Sequence, residues 1–107
     1  MRCLAMSALL LAACAPHHAP IEDGAVTVMT ADRWPTMLAQ LGPEAFARAN
    51  AKMRAAAEYG ARDSGCQRVE YVGVSQSGSS AQRIEWFVDC PNEYRVRLSE
   101  DDLPATG

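Results

Sequence analysis

Apolar residues recur with a helical period through the middle of this chain and with a period of two through its last third. Phe46, Ala49, Met53, Ala56 and Ala57 fall on one stripe, while Arg48, Lys52, Arg54 and Glu58 fall largely elsewhere, which predicts an amphipathic helix. Pro43 suits its first position, Glu44 favours the positive end of its dipole, and Gly60 stops it after Tyr59. A shorter helical segment is expected over Thr36 to Leu41, between Pro35 and Gly42-Pro43. The many alanines on the stripe imply close approach to whatever the helix covers.

Alternation in the last third predicts strands. Antiparallel pairing fixes the sum of paired residue numbers, so a contact between Cys66 and Cys90 implies a sum of 156, centring a turn on Gly78 within Ser75 to Ala81. That register sets Arg68 opposite Val88, Glu70 opposite Trp86 and Val72 opposite Ile84. A tight turn at Pro91-Asn92-Glu93 gives a second sum of 184, pairing Cys90 with Tyr94, Val88 with Val96 and Trp86 with Leu98. One face of the meander then carries Val72, Val74, Ile84, Trp86, Val88, Tyr94, Val96 and Leu98, and the helix should lie there. The fold expected is α+β: one or two N-terminal helices packed on a three-stranded antiparallel β-meander stapled by one disulfide.

The opposite face is less polar than a solvated face should be. The same registers set Val69 opposite Phe87, Phe87 opposite Arg97, Tyr71 opposite Glu85 and Asp89 opposite Arg95. Aromatic residues and arginine are enriched at binding surfaces, so Val69, Tyr71, Phe87, Arg95 and Arg97 form a candidate protein-binding patch. The plainer reading makes Val69 and Phe87 a stabilising cross-strand pair, with Arg97 stacked on Phe87 and Asp89–Arg95 a surface ion pair.

The first residues change the picture of where such a domain works. Arg2 is a positive n-region, Leu4 to Ala13 an apolar stretch, and Leu11-Ala12-Ala13-Cys14 a small-residue cleavage site ending in a thiol. This tetrapeptide resembles the lipobox of bacterial lipoproteins. The resemblance implies removal of residues 1–13, lipidation of Cys14, and membrane attachment through acyl chains. The apolar stretch is too short to span a bilayer, which takes about twenty residues. Ala15, where an Asp would signal retention at the inner membrane, points to the periplasmic face of the outer membrane. Residues 14–31, with Pro16, His17-His18 and Pro20, read as a lipidated N-terminus and flexible tether with a reach of roughly 20 Å, and 32–107 as the periplasmic domain.

Cleavage would remove Cys3 and lipidation would consume Cys14, leaving Cys66 and Cys90 to pair as a disulfide in an oxidising compartment. The whole chain has a net charge of −3 and no basic block, which argues against nucleic acid as a partner. No catalytic constellation is apparent. The only histidines are in the tether and lack further ligands for a metal, Ser79-Ser80 have no base, and Glu100-Asp101-Asp102 read as solvated acids or as the cap of a turn begun at Ser99. No cofactor, metal or small-molecule substrate is indicated, and an enzyme is not expected.

Two function classes follow. One is a non-enzymatic envelope lipoprotein that binds a protein partner through the exposed sheet face or an unpaired strand edge; in architecture it looks like the small accessory lipoprotein of the outer-membrane β-barrel assembly machinery. The other is a lipid-anchored inhibitor or exclusion factor acting on a foreign or cell-wall enzyme, for which Ser75 to Ala81 is the available loop.

Overall fold

The structure, a computed structural model, describes residues 16–104, so the lipobox and Cys14 lie outside the described residues. Three helices, α1 (Pro35–Leu41), α2 (Pro43–Ala51) and α3 (Met53–Ala61), precede a three-stranded antiparallel sheet of β1 (Tyr71–Val74), β2 (Glu85–Cys90) and β3 (Tyr94–Ser99) in the order β1-β2-β3. The α+β class and the meander follow the sequence pattern. None of the described helices is long and apolar enough to cross a membrane.

The expected long helix is two, because Lys52 leaves helical geometry at φ −102° and ψ 8°. Nothing in the local sequence marks this break, since neither Gly nor Pro is present. The residues around it are tied outward instead: Asn50 clamps the Met29 backbone at 2.8 and 2.9 Å, and Lys52 reaches Glu100 at 3.5 Å. The apolar stripe survives the break, with Phe46, Ala49, Met53, Ala56 and Ala57 all buried.

Small residues let α3 sit directly on the sheet. A methyl group added at Gly60 would come within 2.5 Å of the Val88 side chain, so this crossing admits hydrogen alone. Trp86 is the largest fully buried side chain, and its indole N–H finds the carbonyl of Ala49 at 3.3 Å. That bond satisfies the ring's one donor and ties α2 to β2.

The two hairpins depart differently from expectation. β2 and β3 pair in the register with sum 184, from Glu85↔Ser99 to Cys90↔Tyr94. β1 and β2 pair with sum 160, as in Val72↔Val88 and Val74↔Trp86, a shift of four residues from the expected register. The cause is the connection. Ser75 N–H donates to the Glu85 carbonyl to close a loop that holds its own inner turn, with Ser80 and Arg83 exchanging backbone bonds of 2.9 and 3.2 Å. The turn is therefore longer and centred two residues later than Gly78. An even shift preserves which side chains share a face, so Val72, Val74, Trp86, Val88, Val96 and Leu98 are buried together. Tyr94 alone departs: at the end of this face it is 40% exposed, its hydroxyl donating to Asp63 at 2.7 Å.

The disulfide forms as expected, with a Cα–Cα distance of 5.4 Å, although Cys66 is not paired in a ladder with Cys90. It joins the end of β2 to the loop between α3 and β1. Closing 24 residues of separation contributes on the order of 3–3.5 kcal/mol in the chain-entropy description.

Two segments read as solvated are built into the fold. Residues 16–31 dock on the domain instead of standing free. Ala19 N–H donates to the Ala61 carbonyl at 2.8 Å, Val72 N–H to Ala25 at 3.0 Å, and Ala19, Ala25 and Met29 are buried. The expected tether thus cannot include them, because their backbone groups and small side chains complete the sheet edge and core. Glu100 is likewise no free tail acid. Its carboxylate accepts from Arg48 at 2.7 Å and from the Ile84 N–H at 3.0 Å, which holds it below the usual carboxylate range. Arg48 has in turn a second carboxylate, Glu44, at 2.6 Å. Ser99 and Asp102 close a capping box around the short turn that follows β3.

Candidate functional site

The helices cover one face of the sheet, and period-two alternation leaves Tyr71 and Gly73 of β1, Phe87 and Asp89 of β2, and Arg95 and Arg97 of β3 on the other. The pairing brings Gly73 opposite Phe87 and Phe87 opposite Arg97 across the middle of this face. Glycine at 73 is what permits the arrangement: a methyl group there would meet the Phe87 ring at 2.7 Å and the Tyr71 ring at 3.0 Å. The two rings close over the glycine with centroids 5.9 Å apart and planes tilted by 45°.

Arg95 completes the cluster. Its guanidinium carbon lies 4.1 Å from the centre of the Phe87 ring, while Asp89 accepts two hydrogen bonds from it at 2.6 and 3.1 Å. The carboxylate holds the guanidinium over the ring, so ion pair and cation–π contact support one another. The stacking arginine is thus Arg95 and not Arg97, whereas the Asp89–Arg95 pair forms as the register requires. Arg97 is exposed and has no ion pair among the described residues. With Phe87 and Arg95 it borders a groove of about 560 Å³. The far wall is the 75–77 turn, held by Gln40, whose side-chain amide donates to the carbonyls of Gln76 at 2.6 Å and Ser79 at 3.0 Å.

Val69 does not belong to this face. It is completely buried, bridged in parallel to Ile21, and its N–H donates to the Pro20 carbonyl at 2.9 Å. It lies before β1 begins, where the alternation that would have turned it outward no longer applies. The structure keeps Tyr71, Phe87, Arg95 and Arg97 together and adds, in place of Val69, Val28 from the segment read as a tether and Trp34 just beyond it. Val28, 63% exposed, and half-buried Trp34 line a second groove of about 370 Å³ against Tyr71. Arg33 lies over the Trp34 ring at 5.6 Å, repeating at this end the arginine-on-aromatic contact made by Arg95. The short alternating run Thr27-Val28-Met29 was the available signal for an ordered segment.

The continuous surface therefore runs from Val28 and Trp34 across Tyr71 and Phe87 to Arg95 and Arg97. It offers flat aromatic area, stiff side chains and guanidinium donors, chemistry suited to recognition of a polypeptide. Elsewhere the described residues contain no group of three or more His, Cys, Asp or Glu able to hold a metal ion. His17 is engaged with the Cys66 carbonyl at 2.8 Å through Nε2. No protein-family model, curated protein or solved structure matches this chain.

Proposed function

We propose that this protein is a non-enzymatic, lipid-anchored envelope lipoprotein that binds a protein partner at the periplasmic face of the outer membrane. The observation that carries the binding role is the Tyr71–Phe87–Arg95 cluster: two aromatic rings and an oriented guanidinium on the sheet face opposite α3. Buried aromatics need no such display, and a face serving solubility alone would carry alternating charges. The anchor rests on the Leu11-Ala12-Ala13-Cys14 motif. Because residues 16–31 are docked on the domain, any free tether is short. The binding face then works close to the membrane surface.

The inhibitor or exclusion reading gains less support. Its insertion loop would be Ser75 to Ala81, which Gln40 pins to the domain and which carries no bulky anchor. In-cell crosslinking followed by mass spectrometry, with the intact chain beside Cys14→Ala, tests the proposal. One envelope protein enriched only by the intact chain is the expected result. Equal enrichment by both forms would remove the anchor from the function, and no specific capture would move the inhibitor reading ahead.

A further inference from the structure

The two borders of the sheet are finished differently. On the β1 side the docked N-terminal segment supplies backbone partners: Val69 N–H donates to Pro20 at 2.9 Å, Glu22 N–H to Val69 at 3.0 Å, and Val72 N–H to Ala25 at 3.0 Å. That border is closed. β3 pairs with β2 along its whole length, and among the described residues no strand lies on its other side. Arg95 to Leu98 therefore present alternate backbone donors and acceptors to solvent, the arrangement to which another strand adds.

The side chains of this border select what can add. Arg95 and Arg97 stand on the same face two residues apart, about 7 Å along a strand, and both are exposed. Arg95 already has the Asp89 carboxylate, whereas Arg97 has no ion pair among the described residues. A second copy of this chain is a poor occupant. An antiparallel pair of β3 strands about a two-fold axis keeps both outer faces on one side, so registers centred on residues 95, 96 or 97 each set arginine against arginine. Like charges directly opposite destabilise a strand pair, and opposite charges support it.

We propose that the β3 border receives an extended acidic segment of a protein partner, added antiparallel as a fourth strand with carboxylates at alternate positions facing Arg95 and Arg97. Backbone hydrogen bonds supply the affinity and the two guanidinium groups the register and the preference for acid. Phe87, one strand further in, lies within reach of a long side chain from the same segment. This inference rests on the outer sheet face being the binding surface and places the partner's chain at its β3 side.

The test uses the full chain purified in detergent and a fluorescein-labelled decapeptide alternating Glu and Thr. Controls are the same peptide with Lys for Glu, and one with every second backbone nitrogen methylated so that it cannot donate along one edge. The Glu peptide binds at least about tenfold more tightly than the Lys peptide, and methylation on the pairing edge weakens it at least about tenfold. Arg97→Glu reverses the charge preference, and amide hydrogen exchange in β3 slows when the Glu peptide is present. Equal binding of the methylated peptides, or no binding of the Glu peptide, overturns strand addition. Concentration-dependent dimerisation of the chain alone with protected β3 amides assigns the border to a second copy and also overturns it. If the peptide fails while Phe87→Ser still abolishes capture of the cellular partner, the edge inference alone is lost and the face reading stands.

Discussion

The two faces of one small sheet carry opposite chemistries. The buried part of the inner face is aliphatic apart from Trp86 and Cys90, and α3 approaches it so closely that Gly60 has room for no side chain against Val88. The outer face sets an exposed Tyr71, a half-buried Phe87 and two exposed arginines beside one another, with Gly73 giving way to the rings in the same manner that Gly60 gives way to the sheet. Both faces therefore depend on a glycine opposite a large side chain. On the inner face close approach builds a core; on the outer it builds a platform. α3 and a docked N-terminal segment cover one face and one border, and the aromatic rings and arginines concentrate on the face opposite α3.

Substitutions should separate the two faces by their effect on stability. Trp86→Ala on the inner face empties the centre of the core and strands the Ala49 carbonyl, costing about 3–5 kcal/mol; chemical denaturation measures it, and a loss below about 1 kcal/mol would contradict the core described here. Replacing Cys66 and Cys90 together with serine is expected to cost on the order of 3 kcal/mol, seen as a lower melting temperature that reducing agent no longer changes.

Glu100 binds the sheet's end to α2 and makes the stability of this junction depend on pH. Its hydrogen bond from Arg48, foremost among the causes, lowers its pKa in the folded chain. A lowered carboxylate contributes stability in full above its unfolded value and loses it as pH falls through the folded value, so the contribution disappears on the acid side of the ordinary carboxylate range. Glu100→Gln should cost about 1–3 kcal/mol at neutral pH and flatten the decline in stability towards acid. An unchanged acid limb in a pH series of melts would show that other carboxylates carry it.

Gly73→Ala sharpens the contrast from the outer side. The added methyl group displaces the Tyr71 and Phe87 rings, which have solvent to move into, so stability should fall by only about 1 kcal/mol while partner capture falls severalfold. Capture at the unsubstituted level would show that ring placement does not matter.

How far this division was legible in the sequence differs between the hairpins. Pro91-Asn92-Glu93 admits only a tight turn, and the β2–β3 register, including Phe87↔Arg97 and Asp89↔Arg95, follows from it. For β1 and β2 the sequence offers only the cysteines, and a disulfide requires proximity and not pairing. The loop from 75 to 84 has polar residues that bond one another, and Gln40 holds it from another element. Such contacts leave no periodicity to read. A shift of four residues keeps the faces intact, which is why the sequence sets Tyr71, Phe87, Arg95 and Arg97 on one face but does not say which arginine stacks. Val69 was misplaced because alternation was extended beyond the strand that enforces it. Val28 is not legible because residues 16–31 are held by backbone bonds and by Asn50, signals that their composition does not carry, and Trp34 joins the face only through its place beside that docked segment.

The central claim is that the outer face binds while the inner face folds. Its most direct test is the double substitution Phe87→Ser and Arg97→Glu in the intact chain, followed in parallel by thermal melting and by crosslinking capture in cells. Loss of the captured partner with a melting temperature lowered by no more than about 4–8 °C, about 1 kcal/mol of stability for a domain of this size, is the result predicted. Full capture by the substituted chain would contradict the claim, and so would a melting loss as large as that of Trp86→Ala.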